Sequence, residues 1–470
     1  MFIFDTMMLA QDLQNNLPHQ ATAQQITLFN KLAHFINQPN KNNCFVLGGY
    51  AGTGKTTCVS LLVKLLPKYA ITTVLLAPTG RAAKVISKYS GKPASTIHRK
   101  IYRKAGAGGP EINFSLAPNN SKDTIYIVDE ASMLANEATE WGGGLLYDLF
   151  RYVYNGNNNR IIFVGDTAQL PPIGTNESPA LSTSYLENNY HLTVYHTQLT
   201  EVVRQQQLSG ILQNATTIRE QIMQKEVAFP QIITRNYKDV YRITGEKIID
   251  GLSYAYSNFG EENSLVICRS NKNANMYNQH IRHQVLGRED EITGGDLVMI
   301  VKNNYFWMPE DKGSFIANGE TAKISRVRNI KDMYGFRFAD VSLTFEDAGI
   351  DFSLDCKVML DTLYAETPAL SYDAQKSFFN AVMEDYAHLK TKRERLDELK
   401  LNPYFNALQI KFAYAVTCHK AQGGQWDIVF IDQGYLTDEM LNTELLRWLY
   451  TATTRATKQL YYVNFSDSFF

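Results

Sequence analysis

The chain has 470 residues, 44% hydrophobic and 20% charged, which is enough apolar material for more than one buried core and excludes a disordered scaffold. Its 46 basic and 47 acidic residues leave a net charge of −1, so no global field draws a polyanion and any nucleic acid must be held by local groups. Five cysteines, Cys44, Cys58, Cys268, Cys356 and Cys418, never form a C-x-x-C pair, which argues against a disulfide framework or thiolate metal site and for a reducing cytoplasm. The opening MFIFDTMMLAQDLQNN lacks a basic region ahead of its apolar residues, and no apolar run reaches the ~20 residues of a membrane span.

In chain order, CFVLGG from Cys44 reads as a strand and TTCVSLLVKLLPK as the helix after it. TVLLAP and TGRAAKVISKYS repeat the pattern, and TIYIVDE and RIIFVGD are two more β-rich runs ending in acids. Such alternation implies a parallel, doubly wound sheet with ligands beyond the carboxyl ends of its strands. Between Arg99 and Asp123 the insert KAGAGGPEINFSLAPNNSKD reads as loops around a short hairpin. A domain junction is expected between Ile211 and Ile249. A second α/β unit opens at SLVICRSNKNANMYNQHIRH. The stretch from about Glu291 to Asp361 alternates β-formers with glycine turns, which suggests a small barrel. The charged helical stretch AQKSFFNAVMEDYAHLKTKRERLDELK follows, its acids interleaved with bases as on a solvated face. FAYAVTCHKAQ, WDIVFID and LYTATTRA then return to α/β.

The strongest chemical signal is GYAGTGKTT, Gly49 to Thr57, between a strand and a helix. The glycines of this G-x-x-x-x-G-K-T spacing let backbone N–H groups converge on phosphates, Lys55 reaches the β/γ oxygens, and Thr56 places a hydroxyl on Mg²⁺. In IYIVDEAS, Asp129 and Glu130 end a strand, where one acid holds Mg²⁺ and its neighbour orients the attacking water. In FVGDTAQLPP, Gln169 is placed to sense the γ-phosphate. Taken alone, the last two segments read as a solvated loop start and a polar loop with a rigid exit. Arg204 in LTEVVRQ and Arg455 in TATTRAT are single arginines, most often surface charges.

Together APTGRAAKVIS, ASTIHR, VDEAS, GDTAQLPP, LTEVVRQ, VTCHKAQGGQWD and YTATTRA occur in the order of the superfamily 1B helicase motifs. The chain resembles the RecD-like and Dda-like helicases, the former including the exodeoxyribonuclease V alpha subunit, over about Gln25 to Val463. The resemblance implies an α/β fold of two RecA-like doubly wound parallel-sheet domains, with a small hairpin insert and an SH3-like β-barrel plus helical insertion. Its implied boundaries are an N-terminal extension at 1–20, domain 1A at 21–225 with hairpin 1B at 99–123, domain 2A at 226–290 and 412–470, and inserted domain 2B at 291–411. It implies a 5′→3′ DNA helicase, an ATP hydrolase with Mg²⁺, acting on single-stranded DNA and single-strand/duplex junctions, with repair, recombination or replication partners and no membrane.

By the same resemblance the catalytic set is Glu130, Gln169, Arg204 and Arg455. Gly49, Gly52, Thr53, Gly54, Lys55, Thr56 and Thr57 bind the nucleotide, and Thr56 and Asp129 hold the metal. Gln25 matches the adenine-reading glutamine, with Gln24 a rival. Pro78, Thr79, Thr96, His98, Thr417 and His419 line the DNA track. The chain departs from many relatives where HKAQG continues with Gly424 and Gln425 in place of an acid, which puts that acid's ribose contact in doubt. Phe114, an aromatic in the polar insert, caps a mini-core or stacks on a base, worth ~1–3 kcal/mol per base. His98 and His419 admit a purely structural reading too. DFSLDCK, Asp351 to Lys357, faintly suggests a metal nuclease but reads as a barrel loop. A nucleotide-gated binding protein or a protein-remodelling ATPase subunit of a larger complex is the alternative. The remodelling ATPase would not need ASTIHR or HKAQG, and an inactive subunit would be expected to lose Glu130 or an arginine finger.

Overall fold

The computed structural model describes residues 5–38, 42–104, 114–136, 144–203, 209–224, 227–308, 315–347 and 350–470. The chain opens with α1 (Thr6–Asn15) and α2 (Ala23–Asn37), the second started by a Thr22/Gln25 capping box. There follow β1 (Asn43–Gly49), α3 (Lys55–Leu65), β2 (Thr72–Ala77), α4 (Gly80–Ser90), β3 (Ala94–Thr96) and α5 (Ile97–Ile101). After them come the short strands β4 (Tyr102–Lys104) and β5 (Phe114–Leu116), then β6 (Thr124–Val128), α6 (Leu145–Asn155), β7 (Arg160–Gly165), α7 (Thr183–Tyr190) and β8 (Thr193–Leu199).

Six of these strands form one parallel sheet in the order β3-β2-β6-β7-β1-β8. Strands β1, β6 and β7 are buried along their whole length, which is why CFVL, TIYIV and RIIFV read as continuous apolar runs rather than alternating ones. Apolar clusters cover both faces. One, with Leu9, Leu13, Phe29 and Leu62, folds α1 into the core together with α2 and α3. The other packs Leu146, Leu149 and Phe150 of α6 under Val46 and Phe163. The expected hairpin is β4 paired with β5, Tyr102 opposite Leu116. Its base is fixed by Tyr102, whose hydroxyl donates to Asp148 Oδ2 at 2.7 Å.

The second half runs α8 (Gly210–Gln224), β9 (Val240–Ile243), α9 (Ile248–Phe259), β10 (Ser264–Cys268) and α10 (Asn271–His280). Next are β11 (Leu297–Ile300), β12 (Thr321–Met333), β13 (Phe336–Asp347), β14 (Ile350–Met359), α11 (Asp361–Tyr364), α12 (Tyr372–Glu384) and α13 (Lys392–Leu401). The chain closes with β15 (Leu408–Phe412), β16 (Ala415–Thr417), α14 (Cys418–Ala421), β17 (Trp426–Asp432), α15 (Thr443–Thr453) and β18 (Ala456–Val463). A second parallel sheet has the order β16-β10-β17-β18-β9, and β11 to β15 make a closed barrel. The barrel's last strand, β15, arrives only after α12 and α13, so the helical pair is an excursion from the barrel wall.

Helix α8 packs Ile211, Ala215, Ile218 and Ile222 in the cluster that holds Leu446 and Leu449 of the second sheet's α15. In the DFSLDCK stretch, Asp355 pairs with Arg328 at 3.1 Å and Lys357 bonds Asp340, so these groups brace the barrel. No group of metal-binding side chains and no helix long and apolar enough to cross a membrane occurs among the described residues.

A buried ion pair joins the second sheet to the barrel. Arg282, just past α10, donates from Nε and Nη2 to the two oxygens of Asp296 at 3.0 and 2.9 Å, and both side chains are fully buried.

Candidate functional site

Beyond β1 the chain turns through Tyr50–Gly54 and enters α3 at Lys55. Gly52 and Gly54 stand at φ 75° and 82°, where a Cβ is strained, and a Cβ on Gly54 would lie 2.8 Å from Gln25 Nε2. Lys55 folds back over this loop and donates to the carbonyls of Gly49 at 2.6 Å and Tyr50 at 2.8 Å. Thr53 donates to the Tyr50 carbonyl at 2.8 Å, and Thr56 and Thr57 sit half-buried in the helix's first turn. The first-turn N–H groups of α3 have no side-chain cap, which leaves them for an anion.

Gln25 is fully buried. Its Oε1 accepts from Thr22 N at 3.1 Å and its Nε2 donates to Thr53 O at 3.3 Å. Gln24 is occupied as well, donating to Thr200 Oγ1 at 2.8 Å and accepting from Thr200 N at 2.6 Å. Both amides therefore brace the phosphate loop's surroundings.

Asp129 and Glu130 follow β6, two strands across from β1. Asp129 Oδ1 accepts from Glu130 N at 2.9 Å. Burial and the adjacent Glu130 carboxylate push the Asp129 acid up, against the opposing pull of that N–H and of Lys55. A divalent cation beside it would restore the charged form, so this acid suits a hard oxygen-seeking metal. Glu130 holds φ 52°, an uncommon left-handed conformation for a residue with a side chain, of the kind that clusters at functional sites. On the next strand's loop Gln169 is buried, and its Oε1 has no hydrogen-bond partner among the described residues.

Arg455 comes from the other sheet, between α15 and β18, and is only 4% exposed. Its Nη1 stands 3.7 Å from Glu130 Oε1. Three donors fix it: Nε to Thr451 O at 3.0 Å, Nη1 to Gly424 O at 3.2 Å and Nη2 to Thr454 Oγ1 at 3.1 Å. Two residues 325 positions apart in sequence, Glu130 and Arg455, thus meet in one cleft between the sheets. Arg204 lies outside the described residues.

The remaining candidates gather at one edge of each sheet. Pro78 and Thr79 follow β2, and Thr96 ends β3, the edge strand. Thr79 and Thr96 cap α4 and α5, accepting from Ala82 N at 3.2 Å and Arg99 N at 3.3 Å. Thr417 ends β16, the edge of the second sheet, and His419 lies on α14. These edges touch. A Cβ on Gly423 would stand 2.7 Å from Ala82 Cβ, and one on Gly424 2.5 Å from Arg81 Cδ. Arg81 lies over the Trp426 ring at 4.4 Å, and Tyr89 donates to Gln425 Oε1 at 3.0 Å. The GGQW departure therefore builds a junction between the sheets. Burial lowers the pKa of both His98 and His419, which favours neutral rings able to accept as well as donate. His98 packs edge-on to Phe315, ring centres 6.5 Å apart, tying α5 to the segment before β12. Phe114 begins β5, and its side chain lies outside the described residues.

Residues not singled out from sequence also converge here. Asp166 and Tyr450 meet across the cleft, Tyr450 donating to Asp166 Oδ2 at 2.7 Å, and Gln422 donates to Leu170 O at 2.7 Å. Asp166 carried a signal, as the acid ending RIIFVGD. Tyr450 opens the YTATTRA motif, in which only Arg455 drew a role.

Comparison with known proteins adds two family matches: an AAA domain over residues 21–231 and a UvrD-like helicase C-terminal domain over residues 412–463. The ATP-dependent DNA helicase dda of Enterobacteria phage T4 is 24% identical over 94% of this chain and 99% of its own length. The ATP-dependent RecD2 DNA helicase of Deinococcus radiodurans is 33% identical over 30% of this chain and 18% of its own. A solved structure of Bacteroides Pif1 helicase with ADP-AlF3 and single-stranded DNA aligns with TM-score 0.47 and 14% identity over 95% of this chain and 93% of that one.

Proposed function

We propose, from the premise that the chain belongs to the superfamily 1B helicases, that it is an ATP-driven motor which moves 5′→3′ along single-stranded DNA and parts the duplex ahead of it. The observation that carries the proposal is the 3.7 Å approach of Arg455 to Glu130 across two parallel sheets, next to Asp129, whose carboxyl feels the Lys55 charge. A group from each lobe on one nucleotide makes hydrolysis depend on lobe closure, and repeated closure is what a translocating motor needs.

In this reading Lys55 leaves its loop carbonyls to bind the β/γ oxygens, while Gly49, Gly52, Thr53, Gly54 and Thr57 shape the backbone cradle. Thr56 and Asp129 hold Mg²⁺, which supplies charge neutralisation on the phosphates when bound. Glu130 accepts a proton from the attacking water, and Gln169 Oε1, which has no hydrogen-bond partner among the described residues, orients that water or the γ-phosphate. Arg455 stabilises charge spreading on the transferred phosphoryl group, a role assigned to Arg204 as well. Gln25 is assigned to the adenine, which requires its amide to leave Thr22 or Thr53.

The DNA is assigned to the adjoining edges, with Pro78, Thr79, Thr96 and His98 on one lobe and Thr417 and His419 on the other. Phe114 is assigned to the fork, at the end of the β4–β5 hairpin. We place the lobe boundary ahead of Gly210, because α8 packs with the second sheet. The remaining assignments follow the expected units: 1–20 as an extension whose α1 packs on the first lobe, 99–123 as the hairpin, and 291–411 with β15 as the barrel and its helices. A cytoplasmic location belongs to the same proposal, supported by five buried free thiols. The test is ATP turnover with and without single-stranded DNA. Turnover that DNA leaves unchanged would refute the motor.

A further inference from the structure

Tyr450 is fully buried on α15 and lies where three elements meet. Its hydroxyl accepts from Ala51 N, in the phosphate loop, at 3.0 Å and donates to Asp166 Oδ2, beyond β7, at 2.7 Å. A carboxylate only accepts, so the single phenolic proton must point at Asp166 and the oxygen lone pair at Ala51. Burial first, and the Asp166 charge second, hold the phenol well above the usual tyrosine range, which keeps that proton in place. Asp166 is itself fixed, its Oδ1 accepting from Ala168 N at 2.9 Å.

The neighbouring residue repeats the connection. Thr451 Oγ1 accepts from Leu170 N, beside Gln169, at 2.9 Å. The Thr451 carbonyl accepts from Arg455 Nε at 3.0 Å. One turn of α15 therefore touches the phosphate loop, the Gln169 loop and the arginine that approaches Glu130.

We propose that Tyr450 is a positioning residue for ATP hydrolysis, holding α15 against the phosphate loop and the Gln169 loop so that Arg455 enters the cleft in register with both. Replacing it by phenylalanine keeps the ring's packing and removes only the oxygen that joins Ala51 to Asp166. The proposal rests on the ATPase reading of the cleft, because turnover is how it is read.

The test compares the full-length wild type with Tyr450→Phe, Arg455→Ala, the double variant and Thr451→Val, at varied ATP, with and without single-stranded DNA. Single-turnover assays keep the residual rate of Arg455→Ala measurable. Tyr450→Phe is expected to lower kcat about tenfold, the effect of losing one or two buried hydrogen bonds, while KM for ATP stays within about threefold. In the Arg455→Ala background the same change is expected to cost no more than about twofold, because both act through one group. Independent, multiplying losses in the double variant, or a normal kcat in Tyr450→Phe, would overturn the proposal. If Tyr450→Phe does not show a cooperative melt, Thr451→Val decides. It must show the kcat-only loss, and a loss shared with KM overturns the proposal. DNA stimulation absent from the wild type counts against the motor instead, and the basal rate still reads Tyr450.

Discussion

Removing the Arg455 guanidinium separates its chemical role from its packing role. Arg455→Ala deletes three hydrogen bonds, to Thr451 O, Gly424 O and Thr454 Oγ1, and the 3.7 Å approach to Glu130. Two of the three acceptors are backbone carbonyls around a side chain that is itself buried, so the loss is expected to cost roughly 1–3 kcal/mol of stability. The catalytic loss should be larger. An arginine reaching phosphoryl charge contributes ~10³–10⁵ in rate, and the lower figure equals about 4 kcal/mol of transition-state stabilisation. The phosphate loop that binds the ground state stays intact, so ATP affinity should fall less than about tenfold. Turnover at saturating ATP and DNA, ATP binding by fluorescent-analogue titration, and thermal melting on one preparation check all three quantities. Equal losses in affinity and rate would refute the reasoning and make Arg455 a binding or folding residue. Arg455→Lys should recover stability better than rate, because an ammonium cannot reproduce the three-donor fork.

Glu130→Gln should bind ATP and lose turnover, whereas Lys55→Ala should lose both; DNA-stimulated turnover persisting in Glu130→Gln would sink its assignment as base. Phe114→Ala should slow duplex unwinding while most DNA-stimulated ATPase remains, since breaking a base-pair step costs about 1.4 kcal/mol and an aromatic stack returns ~1–3 kcal/mol. Normal unwinding removes Phe114 from the fork, and parallel loss of ATPase makes it structural. Asp296→Ala strands the fully buried Arg282 without its carboxylate and should cost about 3–5 kcal/mol in a urea melt, a change under ~1 kcal/mol being incompatible with that buried pair.

Much of this architecture is legible in the sequence because parallel strands buried on both faces leave uninterrupted apolar runs, and CFVL, TIYIV and RIIFV mark three neighbours of one sheet. Lys55, Asp129 and Gln169 are legible for the same reason, each just past such a run. What the sequence conceals is pairing over distance. The stretch that forms α8 gives only an expected domain junction, and Ile211 and Ile218 fit either lobe until Leu446 and Leu449 are seen beside them. Strand β15 closes the barrel from beyond two helices, and its pairing with β11 lies past the run of β-formers that ends near Asp361. Tyr450 and Asp166 are 284 residues apart, and no local pattern pairs a phenol with a carboxylate over that span. Gly424 and Gln425 put a ribose contact in doubt, and nothing in their local sequence announces that a Cβ at Gly424 would crowd Arg81 over Trp426.

The central claim is that ATP hydrolysis in this cleft drives directed movement on one DNA strand. Unwinding of otherwise identical duplexes, one with a 5′ single-stranded tail and one with a 3′ tail, tests it most directly, with Glu130→Gln as the control. The 5′-tailed duplex should be opened in an ATP-dependent way that Glu130→Gln abolishes, and the 3′-tailed duplex should stay closed. A preference for the 3′ tail would contradict the direction, and failure to open either duplex despite DNA-stimulated ATPase would contradict the helicase.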